Sequence, residues 1–130
     1  MKSIKSIRWM LIPILLSFLI LILMKTVLFL GYVPTESMEP TLEKESFILG
    51  TRLYGKLSVG DIIIFVRDGQ LLVKRIAALG GEAVIRNGVA VIVPENCYYV
   101  LGDNTEHSYD SRFWPNPFVD GDSIRAKLLF

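Results

Sequence analysis

One cysteine, one histidine and no acidic side chain before Glu36: the scarcities of this 130-residue chain limit what it can be. Cys97 has no partner, so a disulfide scaffold is excluded. Any Ser–His catalytic pair would have to use His107, the sole histidine. Basic residues are not in excess either, with 14 Lys and Arg against 13 Asp and Glu. Without a basic stripe to grip phosphates, nucleic-acid binding is disfavoured. A second long apolar run is missing as well, which excludes a polytopic transporter.

What the chain does have is a sharp internal asymmetry. Residues 1–30 hold Lys2, Lys5, Arg8 and Lys25 and no acid, which leaves residues 31–130 with ten basic against thirteen acidic side chains, a net charge of −3. From Trp9 to Met24 no residue is charged. As a helix at about 1.5 Å per residue this run falls slightly short of a ~30 Å hydrocarbon core, and continuing through Lys25 to Tyr32 supplies the length. Lys25 would snorkel to the headgroups, and Pro13 is expected in the first turns, where a missing N–H does least harm. The run is apolar on every face, unlike the single stripe of a core helix. Bulky Phe29-Leu30-Gly31-Tyr32 follows it, where a cleavable leader would carry small residues. The expectation is therefore a basic cytoplasmic segment at 1–8, a transmembrane anchor at 9–32 and an extracytoplasmic domain at 33–130, with the N-terminus inside by the positive-inside rule.

Beyond Pro34 the pattern reads as mainly β. Expected strands are 47–53, 62–67, 70–78, 83–86, 89–93, 98–101 and 123–128, in a small all-β barrel or sandwich-like domain. Asp68-Gly69 and Asn87-Gly88 are two-residue hairpin signals. Residues 103–122 read as irregular, and a loop of that length is usually functional.

Three polar clusters carry possible chemistry. Pro34-Thr35-Glu36-Ser37-Met38-Glu39-Pro40-Thr41-Leu42 holds Ser37 on proline-stiffened backbone just after the anchor. Taken alone it also reads as a juxtamembrane linker. Strand alternation puts Lys74 on a face with Leu72, Ile76 and Ala78, opposite Arg75. On an apolar face the amine is desolvated and its pKa lowered, as a general base requires; an edge-strand lysine reaching water is the alternative. The third cluster is Gly102-Asp103-Asn104-Thr105-Glu106-His107-Ser108-Tyr109-Asp110-Ser111-Arg112, with the short polar side chains an ordered loop needs. Its spacing departs from a calcium loop, and His107 reads as a loop histidine.

In their order and separations these clusters resemble the bacterial type I signal peptidases, in a minimal form. PTESMEPTL is similar to that family's nucleophile box, Gly60-Asp61-Ile62-Ile63-Ile64-Phe65 to its next box, Val73-Lys74-Arg75-Ile76 to its lysine box, and Gly102-Asp103-Asn104 through Asp110-Ser111-Arg112 to its last. Ala78, Gly80 and Glu82 stand where the family usually has Gly, Pro and Asp. The resemblance implies a membrane-anchored serine endopeptidase that removes signal peptides from exported preproteins after a small-x-small motif. Ser37 is then the nucleophile and Lys74 the base. Ser108 would orient the amine, and the Ser37 N–H with the Thr35 hydroxyl would form the oxyanion hole. Asp110, Arg112 and Arg75 would make a supporting ionic network. Val33, Met38, Leu72 and Ile76 are candidate walls of the substrate pockets. The implied partners are signal peptides and the lipid bilayer, with no nucleic acid, metal or cofactor. The implied location is the bacterial cytoplasmic membrane, with the catalytic domain on its outer face. Residues 31–130 alone would be expected to cut a short peptide. The alternatives are a conjugation or pilin-type Ser–Lys peptidase and an inactive anchored peptide-binding module.

Overall fold

A computed structural model describes residues 2–129; Met1 and Phe130, which the expected boundaries include, lie outside the described residues. Helix α1 covers Lys2–Val27 and nine strands follow: β1 Leu28–Tyr32, β2 Phe47–Thr51, β3 Ile62–Arg67, β4 Gln70–Leu79, β5 Ala83–Arg86, β6 Val89–Ile92, β7 Cys97–Leu101, β8 Phe118–Asp120 and β9 Ile124–Leu128. The chain is thus mainly β behind one N-terminal apolar helix. Seven strands form an antiparallel sheet in the order β1-β2-β9-β3-β4-β7-β8, and β5 and β6 pair as a separate hairpin.

The stretch Ile4–Val27 is long and apolar enough to cross a bilayer, and its side chains are exposed on all sides. Its limits differ from the expected anchor. The helix stops at Val27, and residues 28–32 pair with β2 from Leu28↔Thr51 to Tyr32↔Phe47. An apolar LFLGY suits either state, and pairing with Phe47–Thr51 decides for the strand. A boundary at residue 31 would therefore cut through β1. Pro13 also lies well inside the helix rather than in its first turns. Its carbonyl accepts the Ser17 hydroxyl at 2.8 Å.

Both hairpin signals form turns. Asp68 and Gly69 join β3 to β4 at φ 49° and 76°, and Asn87 and Gly88 join β5 to β6 at φ 52° and 76°. The irregular region yields one strand that was not expected, β8, three residues long and preceded by Pro115 and Pro117. It pairs with β7 from Cys97↔Asp120 to Tyr99↔Phe118.

β3 organises the core because it is buried on both faces. Ile62 and Ile64 pack with Phe29, Met38, Ile48 and Ala126. Ile63 and Phe65 turn the other way, against Ile76, Val100, Trp114 and Ile124. Burying a side chain of this size stabilises the fold by about 1.5–3 kcal/mol. Because β4 lies beside β3 with Ile63 opposite Lys74, the lysine stands on an interior strand paired on both edges, with β3 and β7.

Candidate active site

Ser37 sits in the segment between β1 and β2, which is tied down at both ends. Val33 N–H donates to Ser46 O at 2.9 Å, Glu45 N–H to Val33 O at 2.7 Å and Leu42 N–H to Met38 O at 2.9 Å. The Glu39–Pro40 bond is cis. Lys74 reaches this segment from the middle of β4, and its Nζ lies 2.6 Å from Ser37 Oγ. Both residues are nearly sealed, with Ser37 7% and Lys74 4% exposed. The Thr35 hydroxyl stands 3.2 Å from Ser37 Oγ.

Burial pulls the Lys74 ammonium below its ordinary pKa, and the Asp110 carboxylate pushes back in the opposite direction. Asp110 is completely buried. Its Oδ2 accepts Ser108 Oγ at 2.8 Å, Gly102 N–H at 2.9 Å and Arg112 Nη2 at 3.0 Å. Its Oδ1 accepts Arg112 Nε at 2.9 Å and Arg112 N–H at 3.2 Å. Burial works to raise the Asp110 pKa, but these donors outweigh it and hold the carboxylate below its usual value.

The expected supporting residues divide into two groups instead of one network. Arg112 pairs with Asp110, whereas Arg75 forks onto Asp103 at 2.8 and 2.6 Å and donates to Gly60 O at 2.7 Å. The strand pleat separates them, since Arg75 leaves β4 on the face opposite Lys74. Each guanidinium hydrogen bond holds its carboxylate partner's pKa down, and Asp103 is depressed through Arg75 above all. Ser108 also differs from expectation. Its hydroxyl donates to Asp110, and the side-chain hydrogen bond made by Lys74 among the described residues is to Ser37.

Of the four candidate pocket walls, Val33 and Leu72 do line cavities beside Ser37. Met38 and Ile76, each 1% exposed, belong to the two core clusters and do not. Ile76 shares the Lys74 face by pleat, but it pairs beside Val100 of β7 and is packed into the core with it. His107 lines the larger cavity, with Nδ1 3.4 Å from Glu36 Oε1. Among the described residues no cluster of His, Cys, Asp and Glu is placed to hold a metal ion.

Two contributors carried no individual role from sequence. Asn104 clamps the Ser37 segment to the last loop, its N–H donating to Ser37 O at 2.9 Å and its Nδ2 to Glu36 O at 3.1 Å. Gly102 lets those segments meet: a Cβ there would stand 2.0 Å from Ser108 Oγ and 2.6 Å from Ser37 O. Their signal was membership of the Gly-Asp-Asn triplet, whose reason is this close approach.

Fold and site together define an antiparallel β domain behind an N-terminal apolar helix, with a buried serine–lysine contact. The family model described as "Signal peptidase, peptidase S26" matches residues 6–93 and 85–130. "Probable signal peptidase I-1" of Synechocystis sp. is 30% identical, over 76% of this chain and 68% of its own. "Signal peptidase I" of Leptolyngbya laminosa is also 30% identical, over 64% and 59%. "Inactive signal peptidase IA" of Staphylococcus aureus is 25% identical, over 78% and 79%. The chain belongs to the signal peptidase family, peptidase S26. It spans about three fifths to four fifths of the length of these relatives.

Proposed function

We propose that the chain is a signal peptidase I: a membrane-anchored serine endopeptidase that removes signal peptides from exported preproteins after a small-x-small motif. The observation that carries this reading is the 2.6 Å contact between Lys74 Nζ and Ser37 Oγ inside a buried site. One relative is named as inactive, so activity of this chain is a matter for the cleavage test below.

Neutral Lys74 accepts the Ser37 proton as Oγ attacks the carbonyl carbon of the scissile bond. The Ser37 N–H and the Thr35 hydroxyl receive the oxyanion, each such donor contributing about 3–4 kcal/mol. Collapse breaks the C–N bond, and the departing amine takes the proton from the Lys74 ammonium. Lys74 then activates water to hydrolyse the acyl-enzyme. Desolvation lets one lysine act where other serine peptidases use His with Asp. Ser108, bonded to Asp110, and Asp110 itself act as positioning residues behind the lysine.

An apolar cavity of about 80 Å³ beside the pair, lined by Gly31, Val33, Ile48, Ile64 and Val73, supports selection of small side chains before the cut. Helix α1 serves as the anchor. Its basic start lies in the cytoplasm and the β domain on the outer face of the membrane, where the sites of emerging signal peptides become accessible. Incubation of the purified protein in detergent with a preprotein, followed by mass spectrometry, tests the reading. Cleavage after small-x-small supports it; cleavage elsewhere, or none, contradicts it.

A further inference from the structure

The Ser37–Lys74 pair lies between two cavities. The apolar one of about 80 Å³ is on one side, and one of about 350 Å³ is on the other; Thr35, Ser37, Leu72 and Lys74 line both. A peptide whose scissile carbonyl is held at Ser37 must extend in both directions from it. If the residues before the cut fill the small cavity, the residues after it pass into the large one. We infer that the larger cavity is the subsite for the leaving side of the substrate, and that Tyr109, backed by the buried Trp114, selects there for side chains with a large aromatic or aliphatic body. This rests on the function proposed above.

The chain builds that wall from alternation in the last loop. Backbone around Ser108 is extended (φ −119°, ψ 127°), so Ser108 and Asp110 turn inward and are buried while Tyr109 turns out. Tyr109 is 64% exposed and lines the cavity. It is nevertheless held in place, stacked on Phe113 with 6.2 Å between centroids and set edge-on to Trp114 at 6.4 Å. Trp114 is fixed in turn, with the Arg67 guanidinium 4.1 Å above its ring and Phe65 against it at 6.2 Å. Arg67 cannot drift, because Nη2 donates to Asn116 O at 2.6 Å. A large exposed ring, braced from behind and facing the reacting pair, is a preorganised contact surface. Leu72 and Pro115 extend it with apolar surface. The polar lining from Arg67, Asp68, Gln70 and His107 mixes charges of both signs, so size and apolar contact, not charge, discriminate there.

The test uses the full chain in detergent and peptides identical through a small-x-small segment. They differ only in the two residues after the cut: Gly-Gly, Leu-Leu or Phe-Phe. The protein is expected to show kcat/KM about five- to tenfold higher for Phe-Phe and Leu-Leu than for Gly-Gly, the scale of one aromatic contact. Tyr109→Ala should bring that ratio to within about twofold, and Tyr109→Phe should preserve it. Absence of the preference in the unaltered protein, or a ratio that survives Tyr109→Ala, overturns this inference alone. Failure to cut any of the three overturns it together with the proposed function.

Discussion

Replacing Asp110 by Asn changes one atom at the centre of the loop that backs Lys74, and the structure fixes what that atom meets. Oδ2 accepts three donors and Oδ1 two. Asn can place its remaining carbonyl oxygen on the three-donor side. Its amide NH₂ then faces the Arg112 N–H and Nε, so two acceptor contacts become donor–donor contacts. Each buried hydrogen bond lost this way costs about 1–3 kcal/mol, or about 2–6 kcal/mol for the two. Arg112 is 28% exposed on its side chain and can regain water, which favours the lower half of that range. The expected loss is therefore about 2–4 kcal/mol, read as a fall in the urea midpoint at unchanged m-value. The substitution also removes the charge that raises the Lys74 pKa, so the rising limb of kcat/KM should move to lower pH. An unfolding free energy from urea within about 0.5 kcal/mol of the parent's would refute the reasoning.

The unaltered protein should gain kcat/KM as pH rises through a Lys74 pKa below the ordinary 10.5, since only the neutral amine accepts the serine proton. A limb at or above that value would contradict burial as the activating force. Asp103 and Asp110 both have folded pKa values below their unfolded ones, so their contribution to stability is full above about pH 4–5. It should be lost as pH falls through the depressed values, seen as an acid-side drop in the urea midpoint. Gly102→Ala should drive Ser108 and Ser37 apart, costing about 1–3 kcal/mol and more than tenfold in kcat/KM; unchanged kinetics would mean the close approach is dispensable. A fragment beginning at Leu28 should stay folded, by far-UV circular dichroism and urea melting, whereas one beginning at Val33 lacks β1 and Phe29 and should be markedly less stable.

The sequence made the strands with turn chemistry readable, because Asp-Gly and Asn-Gly dictate positive φ locally. It hid β1, whose apolar residues continue the helix without a break in composition, and β8, which two prolines disguise as loop. The meeting of Ser37 and Lys74 was legible through the resemblance of their boxes, because each local signal alone fits a linker serine or an edge-strand lysine equally well. The destination of Arg75 was not, since Asp103 lies 28 residues away and only the fold brings them together. Met38 and Ile76 looked like pocket walls for the same reason that they are core: an apolar residue beside a site carries no mark of which way it faces.

The central claim is that Ser37 and Lys74 form one catalytic unit, and preprotein cleavage by Ser37→Ala and Lys74→Met tests it most directly. With folding of both variants verified by circular dichroism, each should lose about 10⁴-fold or more in kcat/KM at every pH, and the double variant should lose little beyond either single one. Retention of substantial activity by either single variant, or additive losses in the double, would contradict the account.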